Sequence, residues 1–530
     1  MLKVTRVLLA LVCLVALTAL FVDTTGLAAT RWGWIARWQV VPALLSVNVV
    51  VIAVLAAVTL LMGRVYCSVL CPLGVLQDVV ARIRIWLAPR RRRKIGVYHT
   101  RRGIDWLRYT VFGLFVLAVC AGLAGILATS LGALIEPYSA YGRLASGLFA
   151  PVTDAANNAL ADYDAAHGGY TFWTVTRHVA PLVTAIGALT FIVVAVCAVV
   201  TGRGYCNNFC PVGTLLGFVS RHALIRVTID TDKCNGCGSC ARHCKGGCID
   251  ARAHRIDYSR CVTCMDCVGH CSQSALKLRW APGKPAAYSV SGKAQPAKPA
   301  PSDKSVKSEK PTATAPTADK GRRQFMAILG AGAGALAVHA ADKVTDGGLT
   351  PLKTKTAPAR ATRIVPPGAI SLANLNAKCV GCQLCVQSCP NGIIRTSTEL
   401  ETLMQPVLDY SAGYCTPECT RCSEVCPTGA IVVLDEPAKS STKIGTATVD
   451  LSICLSAQGS NCGSCSRHCP AGAIEMVSPD GAKGRLPIVN AELCIGCGAC
   501  EYHCPVGTVA TIESDHPAIH VEGVEVQRSV

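Results

Sequence analysis

Residues 234–244 read Cys-Asn-Gly-Cys-Gly-Ser-Cys-Ala-Arg-His-Cys, and residues 261–271 read Cys-Val-Thr-Cys-Met-Asp-Cys-Val-Gly-His-Cys. The interval is the same in both. Three closely spaced thiolates can wrap three corners of an iron–sulfur cubane, while the fourth cysteine points away to a partner cluster. By that rule Cys234, Cys237, Cys240 and Cys271 hold one [4Fe-4S] cluster, and Cys261, Cys264, Cys267 and Cys244 hold a second. Structural zinc sites favour two separated pairs over a triple run with a fourth cysteine three residues on. Lys245 and Ser272 stand where proline commonly follows the fourth cysteine, a departure that removes no ligand.

Working outward, the C-terminal region writes the pattern four more times, each run ending in Cys-Pro. The runs are Cys379, Cys382, Cys385 and Cys389; Cys415, Cys419, Cys422 and Cys426; Cys454, Cys462, Cys465 and Cys469; and Cys494, Cys497, Cys500 and Cys504. The first ligands of the second and third runs reach in from longer loops. Six clusters are expected in all. Runs can pair as neighbours or in nested order, and spacing alone does not choose between these. Of the 32 cysteines, Cys13, Cys120, Cys197 and Cys248 fall outside any pattern and read as small core residues.

A chain of 530 residues with 51% hydrophobic content, a formal charge of +18 and uneven cysteines implies several domains, some in a membrane. Residues 7–22, 40–62, 106–128 and 178–201 are apolar runs of about spanning length, so four transmembrane helices are expected. Arginine and lysine crowd the segment between the second and third runs (Arg90 to Lys94, Arg101, Arg102), which places that loop in the cytoplasm. The loop 135–177, with Glu136, Asp154, Asp162 and Asp164, then faces outward. No basic face interleaved with stacking aromatics is visible, which argues against nucleic acid.

Residues 281–320 hold seven prolines and seven lysines and read as an unfolded linker. Gly321-Arg322-Arg323-Gln324-Phe325-Met326 and the apolar run Ala327 to Val338 have the layout of a twin-arginine export signal. Residues beyond about 345 are then expected outside the cytoplasm, with the run either cleaved or kept as a fifth anchor. The expected domains are 1–225 (membrane), 226–280 (cytoplasmic two-cluster module), 281–320 (linker), 321–345 (signal or anchor), 346–374 (linker) and 375–520 (exported four-cluster module).

Within the membrane part, Gly63-Arg64-Val65-Tyr66-Cys67-x3-Cys71-Pro72-Leu73-Gly74 recurs as Gly202-Arg203-Gly204-Tyr205-Cys206-x3-Cys210-Pro211-Val212-Gly213. This is an internal duplication. Thiol pairs in a reducing compartment are poor disulfide candidates. Cys67, Cys71, Cys206 and Cys210 could together hold one further cluster or metal, or could pack the two halves. His243, His270, His468 and His503 each precede the last cysteine of a run and read as turn-filling residues. Glu136 to Arg143, with its carboxylate, tyrosines and arginine, suits either a quinol headgroup or ordinary interfacial anchoring.

On these motifs the N-terminal half resembles the NapH-type membrane quinol dehydrogenase component, with its four spans, two CxxxCP motifs and cytoplasmic ferredoxin domain. The C-terminal third is similar to the NapG-type ferredoxin, exported by a twin-arginine signal and carrying four clusters. That pair is typically two proteins, so one polypeptide carrying both is a departure. The resemblance implies an α-helical membrane domain joined to α+β ferredoxin-like modules in a bacterial inner membrane. It further implies electrons drawn from the quinone pool and delivered to a periplasmic cytochrome or terminal reductase. Two other readings stay open: electron input from a low-potential cytoplasmic donor, and a NosR-like maturation or redox-sensing role. No nucleotide fingerprint, nucleophile with base or paired catalytic carboxylates stands out.

Overall fold

The computed structural model describes residues 2–87, 98, 103–175, 177, 179–282, 345–346, 350–351, 355–478, 484–507, 514 and 516–530. The Pro/Lys linker and the twin-arginine segment lie almost wholly outside the described residues, as does the basic segment 90–102. Ala327–Val338, the candidate fifth anchor, lies outside them entirely.

The first apolar run extends at its N-terminal end into helix α1, Leu2–Val22, whose 21 residues span about 30 Å at the usual helical rise. A loop and α2, Leu27–Arg37, then lead to α3, Val40–Leu45, and α4, Val49–Met62. The run 40–62 is therefore two helices, where the sequence suggested one continuous span. Val47 takes a positive φ of 53°, and the Asn48 side chain accepts from the Val51 amide as the cap of α4. At 14 residues α4 is short of the ~20 a span requires. Among the described residues three helices have the length and apolarity to cross a membrane: α1, α5 (Asp105–Leu123) and α6 (Pro181–Thr201).

These helices carry apolar side chains that face away from the protein, among them Leu8, Val12, Val15, Leu114, Leu117, Leu189 and Ile192. A belt of that kind is the surface that lipid covers. Exposed Trp86 and Trp106 stand at one end of the bundle and Trp32, Trp34 and Trp173 toward the other, as membrane-interface aromatics do.

The stretch 135–177 is largely helical. Pro137–Leu144 is a helix buried at every position, followed by a five-residue π-type turn and the longer helix Ala150–Ala166. The buried helix packs against α6 and fills the interior of the bundle.

Two cysteine-rich modules flank this bundle. The first is bounded by strands β1, Ile225–Ile229, and β2, Leu276–Trp280, which pair antiparallel with Ile225 opposite Trp280. The second is framed by β3, Thr442–Val449, paired antiparallel with β4, Ile519–Ser529. Its limits are wider than the sequence suggested. Ile364 and Val365 are each 1% exposed within its core, Leu408 donates its amide to Ile364, and β4 runs past residue 520. Both modules are mostly loops and helices of four to seven residues between short strands, which leaves the cysteine loops as the centre of each core.

Candidate redox centres and their path

The described structure gathers the cysteines in sets. In the first module the sulfur of Cys240 lies within electrostatic reach of Cys234, Cys237 and Cys271, and that of Cys267 within reach of Cys264, Cys261 and Cys244 and also of Cys240 in the other set. The fourth cysteine of each run has crossed to the other set. In the second module one cavity is lined by Cys379, Cys382, Cys385 and Cys426, another by Cys389, Cys415, Cys419 and Cys422, and a third by Cys454, Cys462, Cys465 and Cys504. Cys497 and Cys500 face Cys494 and Cys469. The runs thus pair as neighbours, first with second and third with fourth. The sets follow one another in space: Cys385 faces Cys422 across the first pair, and the Cys415 amide donates to the Cys497 carbonyl at 2.9 Å between the pairs.

These sets suit iron–sulfur clusters by their donor chemistry. Main-chain amides point at the sulfurs: Ala275 at Cys271 (3.3 Å), Ala473 at Cys469 (3.3 Å), Ile431 at Cys426 (3.4 Å) and Ala447 at Cys494 (3.4 Å). Such N–H groups stabilise thiolate and bridging sulfide charge where water is excluded. Each set takes three cysteines from one run and the fourth from its neighbour, the arrangement of paired cubanes.

The four histidines form two stacked pairs. His243 lies on His270 with ring centroids 4.0 Å apart, and His468 on His503 at 3.8 Å. Nδ1 of His243, His270 and His468 bonds the carbonyl four residues back at 2.8–2.9 Å. They close the cysteine loops, the turn-filling role their position suggested. Cys248 differs from its reading as a plain core residue: its sulfur lies 3.4 Å from that of Cys244 and beside Cys261.

The CxxxCP motifs meet inside the bundle. Cys67, Cys71, Cys206 and Cys210 are all buried and lie within electrostatic reach of one another. Each repeated residue has a matching place. Gly63 and Gly202 end their helices with φ of 76° and 83°. Pro72 and Pro211 open the next helices, Pro72–Leu87 and Pro211–Ser220. A Cβ on Gly74 would strike the Cys67 carbonyl, and one on Gly213 the Cys206 carbonyl. The arginines cross over: Arg64 reaches the Cys206 carbonyl at 3.4 Å, and Arg203 reaches that of Cys67. Gln77, invisible as a functional residue in the sequence, donates to Cys206 Sγ at 3.1 Å.

The bundle joins both modules. On one side Lys245 of the first module pairs with Asp78 at 3.4 Å and Asp266 at 2.8 Å, while Asp266 also meets Lys3 of α1 at 2.7 Å. Burial raises the Asp266 carboxyl, but Lys245 and Lys3 outweigh it and hold it at about 2. Asp78 lies well below the usual carboxylate range: burial opposes this, and Arg203, Lys245 and Arg6 prevail. On the other side, near the C-terminus of α1, Arg177 bonds the Phe21 and Asp23 carbonyls and Gln387 Oε1. Thr129 donates to the Ala377 carbonyl at 2.6 Å, and Arg143 to that of Gly381 at 3.3 Å. The modules therefore meet α1 at opposite ends.

Glu136 is fully buried and accepts from the Tyr138 and Ser139 amides at 3.0 and 2.5 Å. It is the N-cap of the buried helix, with no free carboxylate edge for a headgroup. Its neighbour Tyr138 touches Cys382.

Family comparison follows this geometry. A 4Fe-4S binding domain model matches residues 45–97 and 183–229, another 4Fe-4S binding domain model matches 227–250, and a 4Fe-4S dicluster domain model matches 378–456 and 460–508. The ferredoxin-type protein NapG of Escherichia coli is 34% identical over 190 residues, 33% of this chain and 78% of NapG. The methylamine utilization ferredoxin-type protein MauM of Paracoccus denitrificans is 34% identical over 158 residues, 28% of this chain and 69% of MauM. The chain belongs to the NapG/MauM ferredoxin-type family. It also matches the ferredoxin-type protein NapH of Haemophilus influenzae, at 26% identity over 183 residues, 34% of this chain and 47% of NapH. NapH-type and NapG-type 4Fe-4S halves are thus fused in one membrane polypeptide with an electron-transfer role. No solved structure matches.

Proposed function

We propose that the chain is a quinol-oxidising electron relay of the inner membrane. Its first module is cytoplasmic, its second periplasmic, and its acceptor a periplasmic cytochrome or terminal reductase. The 24 cysteines of the six runs would ligate six [4Fe-4S] clusters, which when bound supply one-electron exchange without bond-making at a side chain. The protein's share is to fix the sets in sequence, exclude water and hold the modules at either end of a spanning bundle. α3 and α4 together would complete a fourth crossing, and the modules would be α+β ferredoxin-like units.

The observation that carries this reading is one continuous buried cluster of side chains. It contains Cys67, Cys71 and Cys210, Tyr66, Tyr138 and Tyr205, and Cys382 of the second module, with Cys264 of the first and Cys385 packed against it. A respiratory relay needs such an unbroken dry route between redox sets.

The test is anaerobic reduction of the full chain in sealed liposomes by a quinol analogue, followed by optical bleaching and EPR. The relay reading expects quinol to reduce the clusters and an external soluble acceptor to reoxidise them. Reduction only by a low-potential soluble donor would overturn it in favour of electron input. That second reading has its own support, since Cys237 is exposed beside an open cleft on the first module.

A further inference from the structure

Tyr138 is fully buried, yet its hydroxyl makes no well-formed hydrogen bond among the described residues. A buried O–H without an acceptor is strongly unfavourable. Four other buried tyrosines are provided for. Tyr141 pairs with Thr18, and Tyr66, Tyr205 and Tyr410 donate to Gln39 Oε1 and to the Ile135 and Gly496 carbonyls at 2.7–2.8 Å. Tyr138 stands one helical turn before Gly142, where a Cβ would strike the Cys382 carbonyl. Residues four apart share a helix face, so the tyrosine is carried to the same loop of the second module. The sulfurs its hydroxyl faces there are those of Cys382 and Cys426, two members of the set Cys379, Cys382, Cys385 and Cys426.

We propose that, when this set holds its [4Fe-4S] cluster, the Tyr138 hydroxyl donates a hydrogen bond to Cys382 Sγ and raises the reduction potential of that one cluster from across the boundary between bundle and module. A thiolate bound to iron carries charge, and so supplies the acceptor that the hydroxyl otherwise lacks. A donor to a ligand sulfur stabilises the more negative, reduced state, so the potential rises. Uptake of the electron leaves the tyrosine O–H bond and every iron–thiolate bond intact, and no proton moves. Arg143 acts on the same edge. Fully buried, it donates to the carbonyl of Gly381, one residue before Cys382, at 3.3 Å. Cys382 is among the groups its charge faces, after Glu136 and Tyr205.

Position gives the tuning its meaning. Of the second module's sets this is the one held against the bundle: Thr129 donates to the Ala377 carbonyl, two residues before Cys379, while Cys382 lies within the bundle's buried cluster and Cys385 packs against it. The inference rests on the relay reading for the direction of flow. A raised potential at the set that meets the bundle draws electrons out of the membrane part and into the module. Tyr138 is thus a positioning residue, and the iron is held without it.

The experiment is EPR-monitored reductive titration of the full chain prepared without air, with iron and sulfide analysis, on the wild type, Tyr138→Phe and Tyr141→Phe. Phenylalanine keeps the ring that packs on Phe21, with centroids 6.3 Å apart, and removes only the hydroxyl. Tyr138→Phe is expected to keep the wild-type iron and sulfide content and to move one titrating component to lower potential. At the wild-type midpoint of that component its oxidised-to-reduced ratio should rise several-fold, while the other components coincide with wild type. Tyr141→Phe removes a buried hydroxyl from the same helix and should titrate as wild type. Coincident titrations for Tyr138→Phe and wild type overturn the inference, as does an equal shift in both variants, which would report a general disturbance of the helix. Loss of iron from Tyr138→Phe also overturns it, since the hydroxyl would then be part of what holds the cluster. Quinol-driven reduction with coincident titrations would sink this inference alone. A chain inert to quinol, in which chemical titration still shows the Tyr138→Phe shift, would sink the relay reading and leave the hydrogen bond assigned.

Discussion

Lys245 Nζ lies 2.8 Å from Asp266 Oδ2, bridging the loops that follow the fourth cysteine of one run and lie within the other, and its second carboxylate, Asp78, belongs to the membrane bundle. Lysine stands where this motif commonly has proline because the position is a clamp between module and bundle. Lys245→Ala takes one cation from two carboxylates that keep Lys3, Arg203 and Arg6 as partners, at a cost of about 1–3 kcal/mol. Hydrogen exchange is expected to rise across residues 225–280 while the bundle stays protected. The Asp266 carboxyl is lowered to about 2, so its contribution is present above the ordinary carboxylate range and is lost only as pH falls toward that value. Mildly acidic buffer should therefore leave the docking intact.

Gly142 lies against the Cys382 carbonyl and the Phe21 ring, so a methyl group there has no room. Alanine would favour the isolated helix by about 1 kcal/mol, and the clash opposes it with a backbone atom that cannot step aside. Gly142→Ala is expected to loosen the second module from the bundle. Faster exchange at residues 378–388, with the cluster spectra unchanged, would be the signature.

Glu136→Gln separates capping from proton chemistry. The amide keeps one oxygen for one of the two backbone N–H groups and turns its NH2 toward the other, so the expected loss is about 1–2 kcal/mol of stability. Quinol-dependent reduction rates should stay within about a factor of two of wild type, within the scatter of so small a change. A loss of orders of magnitude would restore Glu136 as a proton acceptor.

Removing the iron should affect the two regions unequally. The modules have short strands and cysteine loops at their centres, so their folding is expected to depend on the bound clusters. Oxidative chelation should abolish protection in residues 355–530 and 225–280. The helical signal of α1, α5 and α6 should persist in circular dichroism.

The cysteine runs were legible because ligand spacing is a local property of the chain, and the apolar runs because lipid demands length. What the sequence withheld was set by tertiary contact. The break at Val47 and Asn48 depends on one positive φ and one cap, which a hydropathy pattern averages away. Neighbour pairing of the C-terminal runs depends on how the loops fold back, as does the burial of Glu136 in a stretch read as an outward loop. Asp78 and Gln77 look like ordinary polar residues of an amphipathic helix, and only the approach of Arg203, Lys245 and Cys206 gives them roles.

The exchange of arginines between half-repeats bears on how such a protein arises. Each copy of the motif sends its arginine to the first-cysteine carbonyl of the other, so neither cysteine pair has its full set of polar partners without its twin. Duplication of the motif within one chain therefore supplies what a single copy would lack. Neither half can drift without the other, since a change in Arg64 is felt at Cys206 and a change in Arg203 at Cys67.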